Sequence, residues 1–281
     1  MILTSAPYAS AFVEVAPDVR VLAVRTPTLL PATHTNLIVV GRDAAVLIEP
    51  ATPYEDEQDR ALAEVAALRD AGVHVTSLLL THHHPDHAGG AARFAAALGL
   101  AVRGHEETLR RLDADVPRGR PIADGEEIES VRAVFTPGHA PGHHAYLHAR
   151  SGFVVAGDMV AGIGTILIEP SEGDMAVYLA SLDKLAALRP VALVPAHGDV
   201  LEPEVLARYV AHRLAREAKV LAALERHGGP ATPADLVPDA YSDAPTQVWP
   251  LAALSTEAHL VKLERDGRVR SESSGRWSPI D

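Results

Sequence analysis

The chain has 281 residues, 47% hydrophobic and 4% aromatic, which allows a sizeable core packed mainly by Ala, Val and Leu. It has no cysteine, which excludes disulfides and a thiol nucleophile, and no apolar run near the ~18 residues of a membrane span. Its net charge of −12 falls almost wholly before residue 203, where 15 Lys and Arg face 26 Asp and Glu, a field that disfavours polyanionic partners.

Val19 to Val24, Asn36 to Val40 and Ala45 to Glu49 read as strands, separated by turns at Pro27, Pro31 and Gly41-Arg-Asp43. The first basic residue is Arg20, so no positively charged leader precedes them, and with the lack of cysteine this points to a cytoplasmic protein. An acidic helix start at Pro53-Tyr-Glu-Asp-Glu57 continues through Leu62, Val65 and Leu68 to Gly72. Val75 to Leu80 then reads as a strand buried on both faces.

The next ten residues, Thr81-His-His-His-Pro-Asp-His-Ala-Gly-Gly90, carry His82, His84, Asp86 and His87. Extended backbone leaving a strand points alternate residues the same way, so 82, 84 and 86 converge, and Pro85 holds His84 in the extended region. By the same alternation His83 faces away and reads as structural or exposed. Ala88 to Leu98 reads as a small-residue helix with His87 at its start and Gly99 at its end. Four nitrogen or oxygen donors are thus aimed into one pocket, and the physical motive for that is a metal.

Farther along, Leu100 to Arg103 is strand-like, Glu106 to Leu112 is a short helix and Asp124-Gly125 a turn. Strands follow at 131–135, 145–149 and 153–156, then an amphipathic helix from Asp174 to Leu188 and a strand at 191–194. Three of these strands end in a donor beside a glycine: Thr136-Pro-Gly-His139, Gly157-Asp158 and His197-Gly198. His143, four residues after His139, suits either support of a ligand or a polar surface position. His34, His74, His105, His148, His212, His227 and His259 lack convergent spacing and read as ordinary surface or core histidines. Strands alternating with helices, then strands again, suit two packed sheets with helices outside them.

Glu202-Pro203 marks a boundary, giving segments 1–202 and 203–281. The second segment shows helix patterns over Glu204 to His227, from Thr232-Pro-Ala-Asp235, and over Val248 to Asp266, with a loop from Pro238 to Pro245. Two short strands about Ser274-Gly275 complete a winged-helix-like pattern. Lys262, Arg265, Arg268 and Arg270 would be its nucleic-acid readers, but its near-neutral charge, with 10 basic and 11 acidic residues, favours a cap or dimerisation unit over the metal cleft.

The motifs His82-x-His84-x-Asp86-His87, Thr-Pro-Gly-His139, Gly-Asp158 and His197-Gly resemble those of the metallo-β-lactamase fold hydrolases, over residues 20 to 200. Glu172 to Leu182 and Tyr209 to Glu217 resemble the branch that includes β-lactamase-like protein 2, which carries a C-terminal winged-helix-like domain. The resemblance implies an α/β (α+β) fold: a four-layer αββα sandwich with a small helical winged-helix-like domain. It places His82, His84 and His139 on one metal, Asp86, His87 and His197 on a second, and Asp158 between the two. Imidazole and carboxylate donors suit zinc first, and manganese or iron as well. With no cysteine, the thiolate ligand of several true metallo-β-lactamases has no counterpart, which argues against antibiotic hydrolysis.

Two divalent cations lower the pKa of a bridging water from about 15.7 towards ~7, and Asp86 would orient that nucleophile and act as general base. The expected activity is hydrolysis of a small ester, thioester, lactone or related carbonyl compound. The alternatives are a single-strand endoribonuclease, a mononuclear iron dioxygenase and a winged-helix regulator with a vestigial lactamase domain. Tyr178, Tyr209, His212, Arg213 and Trp249 are compatible with a substrate cleft and equally with core packing; substrate-binding residues, substrate identity and a homodimeric state are not legible.

Overall fold

A computed structural model of the chain describes residues 10–272 and 274–280. Its first half builds a six-stranded sheet from β1 (Val13–Ala16), β2 (Val19–Arg25), β3 (His34–Gly41), β4 (Ala44–Ile48), β5 (His74–Leu79) and β6 (Val102–Arg103), paired in that order. The first four strands are antiparallel; β5 and β6 join in parallel. The parallel crossovers are α1 (Glu55–Asp70) and the pair α2 (Pro85–Ala88) and α3 (Ala91–Leu98), followed by α4 (Glu106–Arg110). A second sheet holds β7 (Glu127–Ile128), β8 (Val131–Phe135), β9 (His144–His148), β10 (Phe153–Gly157) and β11 (Ala192–Pro195), with α5 (Met175–Ala187) crossing between the last two.

Period-two alternation explains how the sheets stack. Val19, Val21, Ile38, Val40, Val46 and Ile48 point inward and meet Val131, Ala133, Tyr146, Val155 and Val194 of the second sheet. The alternate set, Leu22, Val24, Leu37, Val39 and Leu47, points outward and is covered by Ala61, Val65 and Phe94 of the flanking helices. On the far side Val134, Ala145, Val154 and Leu193 lie under Tyr178, Leu182 and Leu185 of α5. The four-layer αββα arrangement expected from the sequence is the one observed.

The C-terminal part comprises α6 (Val205–His227), α7 (Pro233–Ala240), α8 (Trp249–Arg265) and the hairpin β12 (Val269–Ser271) with β13 (Trp277–Pro279). Val205 and Leu206 at the start of α6 belong to the core under α5, whereas Val220 and Leu224 near its end pack with Leu236, Leu260, Leu263 and Trp277 in a separate core.

Several local expectations need correction. In β5 only Leu78 and Leu79 are buried and residues 74–77 are partly exposed, because the short β6 pairs only with Leu78 and Leu79 and leaves the start of the strand without a neighbour on that edge. The helix expected from Ala88 to Leu98 is two pieces, broken at Gly89-Gly90 where a Cβ would meet the carbonyl oxygens of Pro50, Ala51 and Thr52. Strand β6 begins at Val102 rather than Leu100. The loop expected from Pro238 lies inside α7 up to Ala240, held by the Thr232–Asp235 capping box although Pro238 lacks an N–H. Strands β1 and β7, four and two residues long, have too little pattern to be seen.

Candidate metal centre

Donors converge at one edge of the sandwich, where β4, β5, β8, β10 and β11 end. Thr81 leaves β5 pinned: its N–H donates to Glu49 Oε1 at 2.7 Å, its carbonyl accepts from His144 N at 2.9 Å, and the Leu80 carbonyl accepts from Tyr146 Oη at 2.7 Å. From this anchor His82 and His84 turn inward on extended backbone. Asp86 reaches the same site from the first turn of α2, not by strand alternation, which corrects the sequence expectation.

Gly138 and Gly157 set the next two donors. Gly138 has φ 122°, and a Cβ there would lie 2.3 Å from the Tyr178 nitrogen, so only glycine lets β8 turn under α5 and present His139. Gly157 has φ 51°, and a Cβ would fall 2.5 Å from His143 Nε2. That closeness lets the Asp158 N–H donate to His143 Nε2 at 3.2 Å, while His143 Nδ1 bonds Thr136 Oγ1 at 2.8 Å. His143 is fully buried and supports the ligand loop, through Asp158 rather than through His139. His197 follows β11, and its loop is held by Asn36 Nδ2, which donates to the carbonyls of Pro195 and Gly198 at 2.9 Å each.

The side chains form two donor sets. His82 Nε2, His84 Nδ1 and His139 Nε2 lie 2.8, 3.1 and 3.2 Å apart. Burial, then neighbouring imidazoles, pushes the His82 pKa far down; burial foremost takes His139 to about 4. His82 and His139 are therefore neutral and turn lone pairs towards one another, an arrangement that a cation between them would relieve. Spacings near 3 Å match donors sharing one face of an ion with bonds of about 2.0–2.1 Å.

In the second set, His197 Nε2 lies 3.6 Å from Asp86 Oδ2, and His87 Nε2 lies 3.8 Å from Asp86 Oδ1. Asp158 stands between the sets, with Oδ2 3.4 Å from His139 Nε2 and Oδ1 3.4 and 3.5 Å from His197 and His87 Nε2. Both His82-His84-His139 and Asp86-His87-His197 can hold a metal ion, with Asp158 and His82 also grouped about His87.

The donor chemistry fits such ions. His87 Nε2 and Asp158 Oδ1 are buried with no hydrogen-bond partner among the described residues. Burial disfavours a proton on His87, but the carboxylates of Glu49, Asp158 and Asp86 outweigh it and hold the pKa well above normal. Burial likewise opposes charge on Asp158, yet His197, His87 and His139 keep its pKa well below the usual range. That buried negative charge, facing the unpartnered His87 Nε2, suits a metal cation.

Each ligand-type imidazole also has its outer nitrogen held, the usual support for metal-binding histidine. His82 Nδ1 meets Thr81 Oγ1 at 3.0 Å, His87 Nδ1 meets Glu49 Oε2 at 2.5 Å, His139 Nδ1 meets the Leu167 carbonyl at 2.9 Å, and His197 Nδ1 meets the His34 carbonyl at 3.0 Å. His84 Nε2 lies 3.1 Å from Glu172 Oε2, and the same carboxylate is 3.3 Å from His83 Nε2 through Oε1. His83 therefore does not face away; it shares a partner with His84.

Sequence reasoning missed Glu49 and Asn36, and gave Glu172 no role. Glu49 left a signal: a charged side chain closing an apolar strand just before Pro50, fully buried and at φ 65°. Glu172 sits in the turn before α5, fixed by Asp174, which caps that helix and whose N–H donates to the Gly138 carbonyl at 2.8 Å.

Both donor sets open into a cavity of about 520 Å³, whose lining includes His84, Asp86, His139, Asp158 and His197. Of the residues considered for a cleft, only His212 lines it. Tyr178 is buried with its hydroxyl on the Met159 carbonyl, Tyr209 receives the Ala161 N–H, Arg213 donates to the Ile166 carbonyl, and Trp249 is not part of the lining.

A family model described as the Metallo-beta-lactamase superfamily matches residues 30–197, and one described as the Beta-lactamase associated winged helix domain matches residues 232–277. Beta-lactamase-like protein 2 homolog of Drosophila melanogaster is 28% identical over 264 residues, 88% of either chain. Thioesterase pkgB of Emericella nidulans is 33% identical over 205 residues, 70% of this chain and 56% of that protein. The solved structure of a metallo-beta-lactamase family protein from Thermus thermophilus matches with a TM-score of 0.78 and 26% identity, over 95% of this chain and all of that one.

Proposed function

Because the chain belongs to the metallo-beta-lactamase superfamily of metallohydrolases and ends in its associated winged helix domain, we propose that it hydrolyses a small ester, thioester or lactone at a two-metal site. The observation that carries this reading is the pair of donor sets, joined by Asp158, opening into one cavity of about 520 Å³. A relative named as a thioesterase is consistent with it.

His82, His84 and His139 would hold one ion, Asp86, His87 and His197 the other, and Asp158 both; zinc suits these donors first, with manganese and iron compatible. Two bound divalent ions supply Lewis acidity and a water acidified enough to attack at neutral pH. The chain's own residues do the rest. The Asp86 carboxylate, 3.6 Å from His197 Nε2, is the base that takes the proton of the attacking water. Thr81, Glu49, Glu172 and the carbonyls of Leu167 and His34 hold the imidazoles in their working orientation. The C-terminal segment from residue 203 caps the cavity, to which Val248, Leu251 and Ala252 contribute.

The test is metal content together with turnover. Protein purified without added metal should carry two divalent ions per chain, and a panel of neutral thioesters, esters and lactones should show chelator-sensitive hydrolysis that Asp86→Ala abolishes. Cleavage of single-stranded RNA with no turnover of the panel, or activity untouched by chelator, would overturn the reading.

A further inference from the structure

Among the described residues, half of the exposed large aliphatic side chains crowd one place. Leu29, Leu30, Ile163 and Val248 are 53%, 79%, 41% and 38% exposed, and all four line the cavity. Single exposed leucines are ordinary; a cluster around an opening that leads to reactive groups marks a surface meant to be covered. The apolar lining continues inward on both walls, through Leu167 on one side and Leu251 of α8 on the other.

Charge in the same cavity is one-sided. Asp86, Asp158, Glu169 and Glu172 contribute carboxylates. Among the described lining residues the single Lys or Arg is Arg216, and it is already spent. Arg216 is 9% exposed, donates to Asp243 at 2.9 and 3.3 Å and to the Ala240 carbonyl, and stacks on Tyr241 at 4.0 Å. Away from the metal centre the described lining offers a carboxylate or phosphate no unengaged Lys or Arg, and a buried anion without a countercharge is costly.

Building on the ester, thioester and lactone reading, we infer that the cavity selects an uncharged apolar group beside the scissile carbonyl, gripped between the 27–32 loop and α8. Leu29, Leu30 and Ile163 form one wall of this subsite and Val248 and Leu251 the other, so the C-terminal segment sets specificity as part of the active site. Substrates with an anionic group at that position find no free cation there, because Arg216 is engaged, and meet the carboxylate of Glu169.

A series of thioesters of one neutral thiol, from acetyl to decanoyl, with ω-carboxylate counterparts, tests this on the full chain loaded with zinc. Transfer of a methylene is worth ~0.8 kcal/mol, so kcat/KM should climb about three- to fourfold per methylene until the cavity fills. Each ω-carboxylate should be at least about tenfold poorer than its neutral match. Leu251→Trp should lower the chain length at which kcat/KM stops rising and cut the decanoyl-to-acetyl ratio about tenfold. Leu29→Lys, at an exposed position that cannot disturb folding, should improve the ω-carboxylates about threefold. A flat chain-length profile with acetyl hydrolysed, or a preference for the ω-carboxylates, overturns this inference while the hydrolase reading stands. No turnover of any member, with the matching oxygen esters and lactones equally inert, overturns the hydrolase reading and this inference with it. If Leu251→Trp loses acetyl turnover through misfolding, the profile of the unaltered protein still decides.

Discussion

The two donor sets of the centre face the same cavity, yet they are built on opposite electrostatic terms. His82, His84 and His139 form an all-imidazole set, with burial keeping His82 and His139 unprotonated and the negative charge behind the set, on Glu172, partly open to solvent. Asp86, His87 and His197 carry a carboxylate in the set, and fully buried Glu49 stands behind His87. The first set depends on geometry, three nitrogens about 3 Å apart. The second depends on charge that water cannot screen. The lesson is that one centre can contain a position sensitive to small displacements and another sensitive to loss of a single buried anion.

The largest test of that contrast removes what the sets share. Asp158→Asn takes charge from both at once, and kcat/KM should fall by about 10³-fold, as expected when several kcal/mol of transition-state stabilisation is lost. Metal titration should show both positions weakened; loss at only one would break the picture of a shared carboxylate. Next in size, Glu49→Gln should weaken binding at the second position by about 10–100-fold, since the amide cannot accept from both Thr81 N–H and His87 Nδ1. Calorimetry should show the other position nearly unaltered.

Glu172→Gln acts on the first position and should cost about tenfold there, less than Glu49 because its carboxylate is a third exposed. Equal effects of the two substitutions would refute the distinction between buried and screened charge. The smallest change is expected from His83→Ala, no more than about threefold in metal affinity, because Glu172 keeps its bond to His84. A larger loss would make His83 a ligand in its own right, alongside His84 and Glu172.

How much of this was legible beforehand follows from the physics of each position. His82, His84, His139, Asp158 and His197 could be read because a donor at the end of an apolar strand, beside a residue of restricted or unusual backbone, leaves a local mark. The sandwich itself was legible from alternating strands and from helix patterns with clear ends, such as Gly99 and Gly228 in left-handed conformations. Asp86 was placed in the site for the wrong reason, since strand periodicity gave way to a four-residue helix begun at Pro85. Glu49, Asn36 and Glu172 reach the centre across 38, 161 and 88 residues of sequence, as His87, His197 and His84 mark the far ends. No local pattern encodes contacts of that separation. The apolar rim was illegible for the same reason: Leu29 and Val248 become neighbours of one opening only after α6 returns the chain.

Helix α6 has a mechanical consequence. Its 23 residues span about 35 Å at 1.5 Å each, with Val205 and Leu206 embedded in the main body and Val220 and Leu224 in the terminal core. A beam clamped at both ends transmits position and does not flap. The gap between the 27–32 loop and α8 is therefore a fixed calliper, and lengthening or shortening α6 by one residue would rotate its far end by about 100°, swinging the measuring jaw away from the reactive edge.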